Sequence, residues 1–218
     1  TRTIVEFREL EREDGLIWAF VKRQCMHCEH PACVSACTVG ALQKRPDGPV
    51  IYDSRKCIGC RYCMFACPFE IPTFEWDKTL ALIDKCTLCV DRLDAGMEPA
   101  CVKACPTDAI RVGDRDELLQ VAYTRIYSGK GQYVNHVYGE REVGGTSVMY
   151  ISPVPFEELG FPKLGEESPA HVNEQVMHAT PTIAVGMALT LSGIYWMVKR
   201  RRQMQEGAPI TEHEEGEE

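Results

Sequence analysis

Twelve cysteines fall between Cys25 and Cys105, in three groups of four. The first group is Cys25-x2-Cys28-x4-Cys33-x3-Cys37 and the second is Cys57-x2-Cys60-x2-Cys63-x3-Cys67-Pro68. The third is Cys86-x2-Cys89-x11-Cys101-x3-Cys105-Pro106. The second group has the spacing that holds a [4Fe–4S] cube. Three close thiolates bind three irons of one cube, and the fourth, followed by Pro, ligates the neighbouring cube. A chain with several such runs conducts single electrons. Paired cysteines also suit a structural zinc, and an even count permits disulfides in a secreted chain. Zinc does not account for a third Cys two residues on, a fourth after three more, and then Pro. Disulfides do not account for three repeats of one spacing. The first and third groups are looser and take their reading from standing beside the second. No C-x-x-C-H occurs, so covalent c-type haem is not indicated.

The elements that must position these cysteines are short. Residues 3–8 and 16–22 read as two strands joined by a charged turn at 11–15 that ends in Gly. The cysteine groups start about 30 residues apart, which is an internal repeat. Each repeat reads as a cluster loop, a short helix ending at the fourth Cys, and a strand. The strand segments are 40–42 returning at 50–52 around Pro46-Asp47-Gly48-Pro49, then 72–75 returning at 80–83, then 109–112. Residues 114–127 predict a helix capped by Asp114, with Leu118, Leu119, Ala122 and Ile126 at helical spacing. Residues 128–175 lack periodicity and are rich in Gly and Pro. Such a stretch is expected to be an arm on a partner or disordered, with 148–151 its one strand.

Residues 179–198 carry no charge and would span ~30 Å as a helix, enough to cross a bilayer. Pro181 reads as a first-turn residue. Tyr195 and Trp196 stand near one end, and Lys199, Arg200, Arg201 and Arg202 follow at once. A buried soluble helix is the alternative. Apolar character on all faces and four terminal cations favour the membrane. The cations place the C-terminus in the cytoplasm and the cysteine region in the periplasm. Gly186, Thr190 and Gly193 share one helix face, and Ala184, Ala188 and Ser192 another. Small faces admit a close neighbouring helix, though small residues are common in any span. The tail, 211–218, is acidic and expected to be disordered.

At 218 residues the chain fits one or two small domains. Its net charge of −8, with no basic patch in the cysteine region, argues against nucleic acid. All twelve cysteines belong to spacing motifs, so none is left for disulfides. The clusters, more than an aliphatic core, are expected to hold residues 20–112 together, with poor folding without metal.

Four segments carry a family resemblance: Lys22-Arg23-Gln24-Cys25-Met26-His27-Cys28, Cys57 through Phe69, Lys85-Cys86-Thr87-Leu88-Cys89, and Pro99 through Thr107. The chain resembles the iron–sulfur (beta) subunit of membrane-bound respiratory oxidoreductases. It is most similar to the anchored subunit of hydrogenase-2-type [NiFe] hydrogenases and the beta subunit of respiratory formate dehydrogenase. Val154-Pro155-Phe156-Glu157-Glu158-Leu159 looks more like the hydrogenase branch, and Cys86 through Arg92 more like the formate dehydrogenase branch. The family has four cysteine groups where this chain has three, and Thr38 follows Cys37 where the family usually has Pro. The chain opens at Thr1 without a leader, and the absent first group is expected to lie in a missing N-terminal portion or on a second chain.

Crossed ligation assigns Cys25, Cys28, Cys33 and Cys67 to one cube, and Cys57, Cys60, Cys63 and Cys37 to a second. The resemblance implies a third cube on Cys86, Cys89 and Cys101 plus a Cys of the absent group, with Cys105 serving that group's cube. In a complete chain Cys105 would close the third cube itself. That makes three [4Fe–4S] clusters here and four in a full-length protein. The expected fold is α+β, with tandem ferredoxin-like [4Fe–4S] repeats, a long irregular arm and one C-terminal transmembrane helix. Its parts are a strand pair (1–24) on the cluster domain (25–113), a helix and partner-binding arm (114–178), the span (179–198) and a cytoplasmic tail (199–218).

The resemblance implies a non-catalytic electron-transfer subunit in the inner membrane. It would link a periplasmic catalytic subunit, of [NiFe] hydrogenase or molybdopterin type, to an integral quinone-reactive or cytochrome b partner. A terminal reductase running the opposite way and a zinc-binding interaction module are the alternatives. Arg61, Lys85 and Lys103 stand beside ligands and would favour the reduced cube, or are ordinary surface charge. His27 and His30 flank ligands, where a bond to sulfur and a surface role read equally. His178 reads better as a solvated helix end than as a neighbour of a haem or quinone.

Overall fold

The computed structural model describes residues 2–12, 15–78 and 82–206. The middle of the first turn, Leu80 and the acidic tail at 211–218 lie outside the described residues. The chain divides into two compact units, Thr1–Asn173 and Glu174–Glu218.

Unit one opens with an antiparallel hairpin, β1 (Ile4–Arg12) and β2 (Gly15–Arg23), in which Phe7 faces Phe20 and Leu10 faces Ile17. Strand alternation divides its two faces. One face sends Val21, with Leu10 and Ala19 beside it, into a core. On the other, Phe7 meets Trp18 and Phe20 at ring centroids 6.0 and 5.3 Å apart and stays largely exposed.

The cysteine region follows as small pieces: α1 (Ala32–Ser35), β3 (Leu42–Lys44), β4 (Val50–Tyr52), α2 (Tyr62–Ala66), β5 (Thr73–Phe74), β6 (Ile83–Asp84), α3 (Val90–Asp94) and α4 (Ala100–Lys103). β3 pairs with β4 and β5 with β6, both antiparallel. The expected third strand, 109–112, does not form. The earlier cysteine groups each have a returning segment to pair with, whereas α5 (Arg115–Ser128) starts directly after this one. Asp114 caps α5, its carboxylate accepting from the Asp116 and Glu117 amides at 2.9 and 3.4 Å.

Residues 129–169 differ from expectation. They hold almost no regular structure, yet they pack within their own unit. Tyr138, Val154, Phe156, Leu159 and Phe161 form one core with Val21 and Met26. Residues 148–151 form no strand, and Tyr150 makes only an isolated bridge to Tyr138, as Thr146 does to Cys28. Gly139 has φ +97, and a Cβ there would meet Thr146 Oγ1 at 2.4 Å and the Val148 carbonyl at 2.6 Å. Only glycine lets the two backbones approach so closely. Aromatic packing orders this segment where periodicity is absent.

The long helix α6 runs Ala170–Glu206. In its first turn, Ser168 Oγ accepts from the Ala170 amide at 3.2 Å, and Asn173 Nδ2 donates to Ser35 Oγ at 3.0 Å. Pro181 therefore lies inside the helix and not in its first turn. Absence of charge marks the apolar layer, whereas the capping bonds mark the helix start, nine residues earlier by subtraction of 170 from 179. α6 is long and apolar enough to cross a membrane, and none of its apolar window is buried.

The aromatic core yields a stability prediction. Phe161 is 6% exposed, touches Tyr138, Tyr150 and Phe156, and lies 4.3 Å under the Arg23 guanidinium. Phe161→Ala is expected to cost about 3–5 kcal/mol, read from the denaturant midpoint of the cluster-loaded protein. A loss below about 1 kcal/mol would mean that the arm does not support unit one.

Candidate iron–sulfur centres

The C-x2-C turn that opens each cysteine group has one backbone device in common. The residue before the second Cys is left-handed in each: His27 at φ 50, Gly59 at φ 69 and Leu88 at φ 54. That turn aims the residue's amide back at the first sulfur. Gly59 N and Leu88 N each stand 3.4 Å from the Cys57 and Cys86 sulfurs, and the His27 amide acts on Cys25 likewise. A second device follows each fourth Cys. Gly40, Glu70 and Asp108 are left-handed, and the next amide reaches the sulfur. Ala41 N lies 3.2 Å from Cys37 Sγ and Ala109 N lies 3.3 Å from Cys105 Sγ, and Ile71 N serves Cys67. Amides converging on sulfur stabilise negative charge there.

The fold gathers the sulfurs into sets. Cys28 and Cys33 both feel the charge of Cys25 and Cys67. Cys63 feels Cys60, Cys37 and Cys57. The latter four line one small, partly open cavity walled by Leu42, Tyr52, Phe74 and Ile83. Of the third group, Cys86 and Cys101 both lie near the half-buried Tyr150 hydroxyl. Cys105 is held by Thr107 and the Ala109 amide, and Cys89 sits at the left-handed start of α3.

Burial pushes the Cys28 thiol up to about 12 and Cys63 to about 11. It also raises Cys25, Cys33, Cys67 and Cys86. Bonds from Thr107, chiefly its hydroxyl, bring Cys105 down to about 7.

Lys85 is buried, and its ammonium donates to the Val50 and Cys86 carbonyls. Arg61 instead stacks on Trp76, 4.3 Å from the ring centroid, and Lys103 is exposed. His27 is fully buried, and its Nδ1 accepts from the Val50 amide at 2.9 Å. Burial, with Lys85, Lys44 and Lys22 nearby, drops its pKa to about 2. The neutral ring therefore carries its proton on Nε2. His30 lies against His171, with ring centroids 5.7 Å apart, and His178 is exposed on α6. Val50 thus ties the first cysteine loop, through His27, to the third, through Lys85.

Tyr52, Tyr150 and Lys44 are neighbours of the sulfurs that sequence reasoning missed. Tyr52 shares a strand face with buried Val50, a signal that alternation carries. Tyr150 is far from any Cys in sequence, and no local pattern marks it.

Residues 16–115 match the family described as a 4Fe-4S dicluster domain. The chain is also similar to several known proteins. It is 38% identical over 219 residues to the hydrogenase-2 operon protein HybA of Escherichia coli O157:H7, covering 87% of this chain and 65% of the relative. It is 45% identical over 152 residues to the nitrate-inducible formate dehydrogenase iron–sulfur subunit of Escherichia coli K12, covering 68% and 51%. A protein of Nitratidesulfovibrio vulgaris is 44% identical over 187 residues, covering 85% and 50%. The chain thus spans half to two thirds of the length of these relatives.

The residues fit [4Fe–4S] clusters, the cofactor of this protein. Bare thiolates would be costly where burial raises the thiol pKa, and bound iron replaces the proton. His27 Nε2 and Tyr52 Oη are buried polar atoms without a hydrogen-bond partner among the described residues, donors that a sulfur-rich group satisfies. Among the described residues, no three Cys, His, Asp or Glu side chains could hold a single metal ion. Tetrahedral zinc needs four ligands about 2–2.3 Å from one point, whereas a cube offers four separate iron corners. The purified protein is expected to be brown, to bleach on reduction, and to lose its colour together with its compact fold under an iron chelator. Stoichiometric zinc with almost no iron would overturn this.

Proposed function

We propose that the chain is a non-catalytic electron-transfer subunit of a membrane-bound respiratory oxidoreductase. It connects a periplasmic catalytic subunit, of hydrogenase or formate dehydrogenase type, with a quinone-reactive or cytochrome b partner in the membrane. The observation that carries this reading is the gathering of Cys67 with the first cysteine group and Cys37 with the second. The names of the relatives supply the kind of complex.

The cubes supply one-electron redox chemistry. The chain's residues hold and tune them. Cys25, Cys28, Cys33 and Cys67 hold one cube, and Cys37, Cys57, Cys60 and Cys63 a second. Cys86, Cys89 and Cys101 hold a third, with either Cys105 or a Cys from an N-terminal group as the fourth ligand. Two cubes linked by exchanged ligands form one tandem ferredoxin-like unit. The buried Lys85 ammonium favours added electrons near it. The arm after α5 serves partner binding, and α6 anchors the subunit through residues 179–198.

Crossed ligation is tested by Cys67→Ser. It is expected to damage the cube held by Cys25, Cys28 and Cys33 and to spare the one held by Cys57, Cys60 and Cys63. Metal–sulfur distances placing Cys67 on the same cube as Cys63 would refute the pairing.

Orientation is tested separately. The flank 166–178 carries acids and histidines and no Lys or Arg, whereas Lys199 to Arg202 are four cations in a row. Protease added to spheroplasts is expected to reach the cysteine domain and to spare a tag placed after Glu218. The reverse pattern would put the cysteine domain in the cytoplasm and remove the periplasmic partner.

A further inference from the structure

Tyr52 stands at the wall of the cavity lined by Cys37, Cys57, Cys60 and Cys63. Its ring is partly buried against the core cluster that includes Leu42, Val50, Phe74 and Ile83. Its hydroxyl is buried and has no hydrogen-bond partner among the described residues. The Cys57 thiol and the Ile83 amide stand beside it. A buried tyrosine hydroxyl without an acceptor is costly, and an apolar wall would be served better by Phe.

From this geometry we infer that Tyr52 Oη–H donates a hydrogen bond to the ligated Cys57 sulfur and so raises the reduction potential of that one cube. This rests on the ligand reading above. The Cys57 sulfur already receives the Gly59 amide at 3.4 Å from one side. The hydroxyl supplies a second donor. Each donor to a ligand sulfur stabilises the more negative, reduced cube over the oxidised one. Tyr52 is a positioning and tuning residue and carries no electron itself.

The test is an EPR-monitored redox titration of the full, cluster-loaded chain and of two variants at one position. Tyr52→Phe removes only the hydroxyl. It is expected to keep iron and sulfide content and to lower the midpoint potential of one cube, leaving the others in place. Tyr52→3-fluorotyrosine keeps the ring and strengthens the donor, so the same potential is expected to rise. Opposite shifts from two substitutions of nearly equal shape are not produced by packing alone. A cluster-loaded Tyr52→Phe protein that titrates like the parent overturns the inference. If Tyr52→Phe loses the cube, the fluorotyrosine variant decides, and an unmoved potential there overturns it. Cys57→Ser, titrated alongside, separates this result from the ligand reading. If every EPR signal persists unchanged in Cys57→Ser, Cys57 is not a ligand and the inference falls with it. If one signal changes there but keeps its potential in both Tyr52 variants, only the Tyr52 assignment fails.

Discussion

Negative sulfur in a dry interior is the condition that the rest of unit one satisfies. Burial alone would leave most of these thiols protonated, with Cys28 near 12 and Cys63 near 11. Ligation by iron reverses that, provided that the surroundings also favour the charge. The surroundings do so with backbone amides, repeated at three loops, and with the Lys85 ammonium. Amides are the cheaper means, because they are already present and lose no side-chain freedom. They must, however, be turned inward. That requires left-handed residues at His27, Leu88, Glu70 and Asp108, where an L side chain costs about 1–2 kcal/mol each. Gly40 and Gly59 meet the requirement freely. The strain persists because the cluster chemistry needs the amides where it puts them.

The same condition explains which features were legible in the sequence. Cysteine spacing specifies which sulfurs are near in sequence, and it leads to the expectation that Cys67 and Cys37 cross between groups. The hairpin β1–β2 was legible from alternation, and α5 from Asp114 and its apolar periodicity. The segment 129–169 was not. Its order rests on Tyr138, Phe156 and Phe161 meeting Val21 and Met26, contacts that join residues more than 100 apart and leave no local pattern. Lys85 could not be told from a surface lysine, because its burial depends on the Val50 carbonyl contributed by another repeat. The start of α6 was misplaced for a related reason. Composition reports the apolar layer, and the Ser168 and Asn173 bonds that begin the helix are tertiary.

β4 shows how the repeats become one body. Its residue Val50 gives its amide to His27 and its carbonyl to Lys85. A two-stranded ribbon of three residues a side is too small to be stable alone. Here it is pinned along the outer edge of β4 by side chains from the flanking cysteine loops. Loss of one loop therefore frees polar groups in the next, so the cysteine region should fold and load its clusters as a unit.

The two crossed sulfur sets reach this balance by different routes. Around Cys25, Cys28, Cys33 and Cys67 the interior is drier, which disfavours an added electron, and Lys85 and Lys44 offset it with charge. Around Cys37, Cys57, Cys60 and Cys63 the cavity opens beside the exposed Cys60, and Arg61 is turned aside onto Trp76. Solvent and hydrogen bonds do there what ammonium groups do at the first set. The difference has a consequence for salt. Buried ammonium groups are screened weakly, whereas a solvent-facing site responds to the ions around it. The two sulfur sets thus have different electrostatic surroundings, which would give clusters held there different potentials.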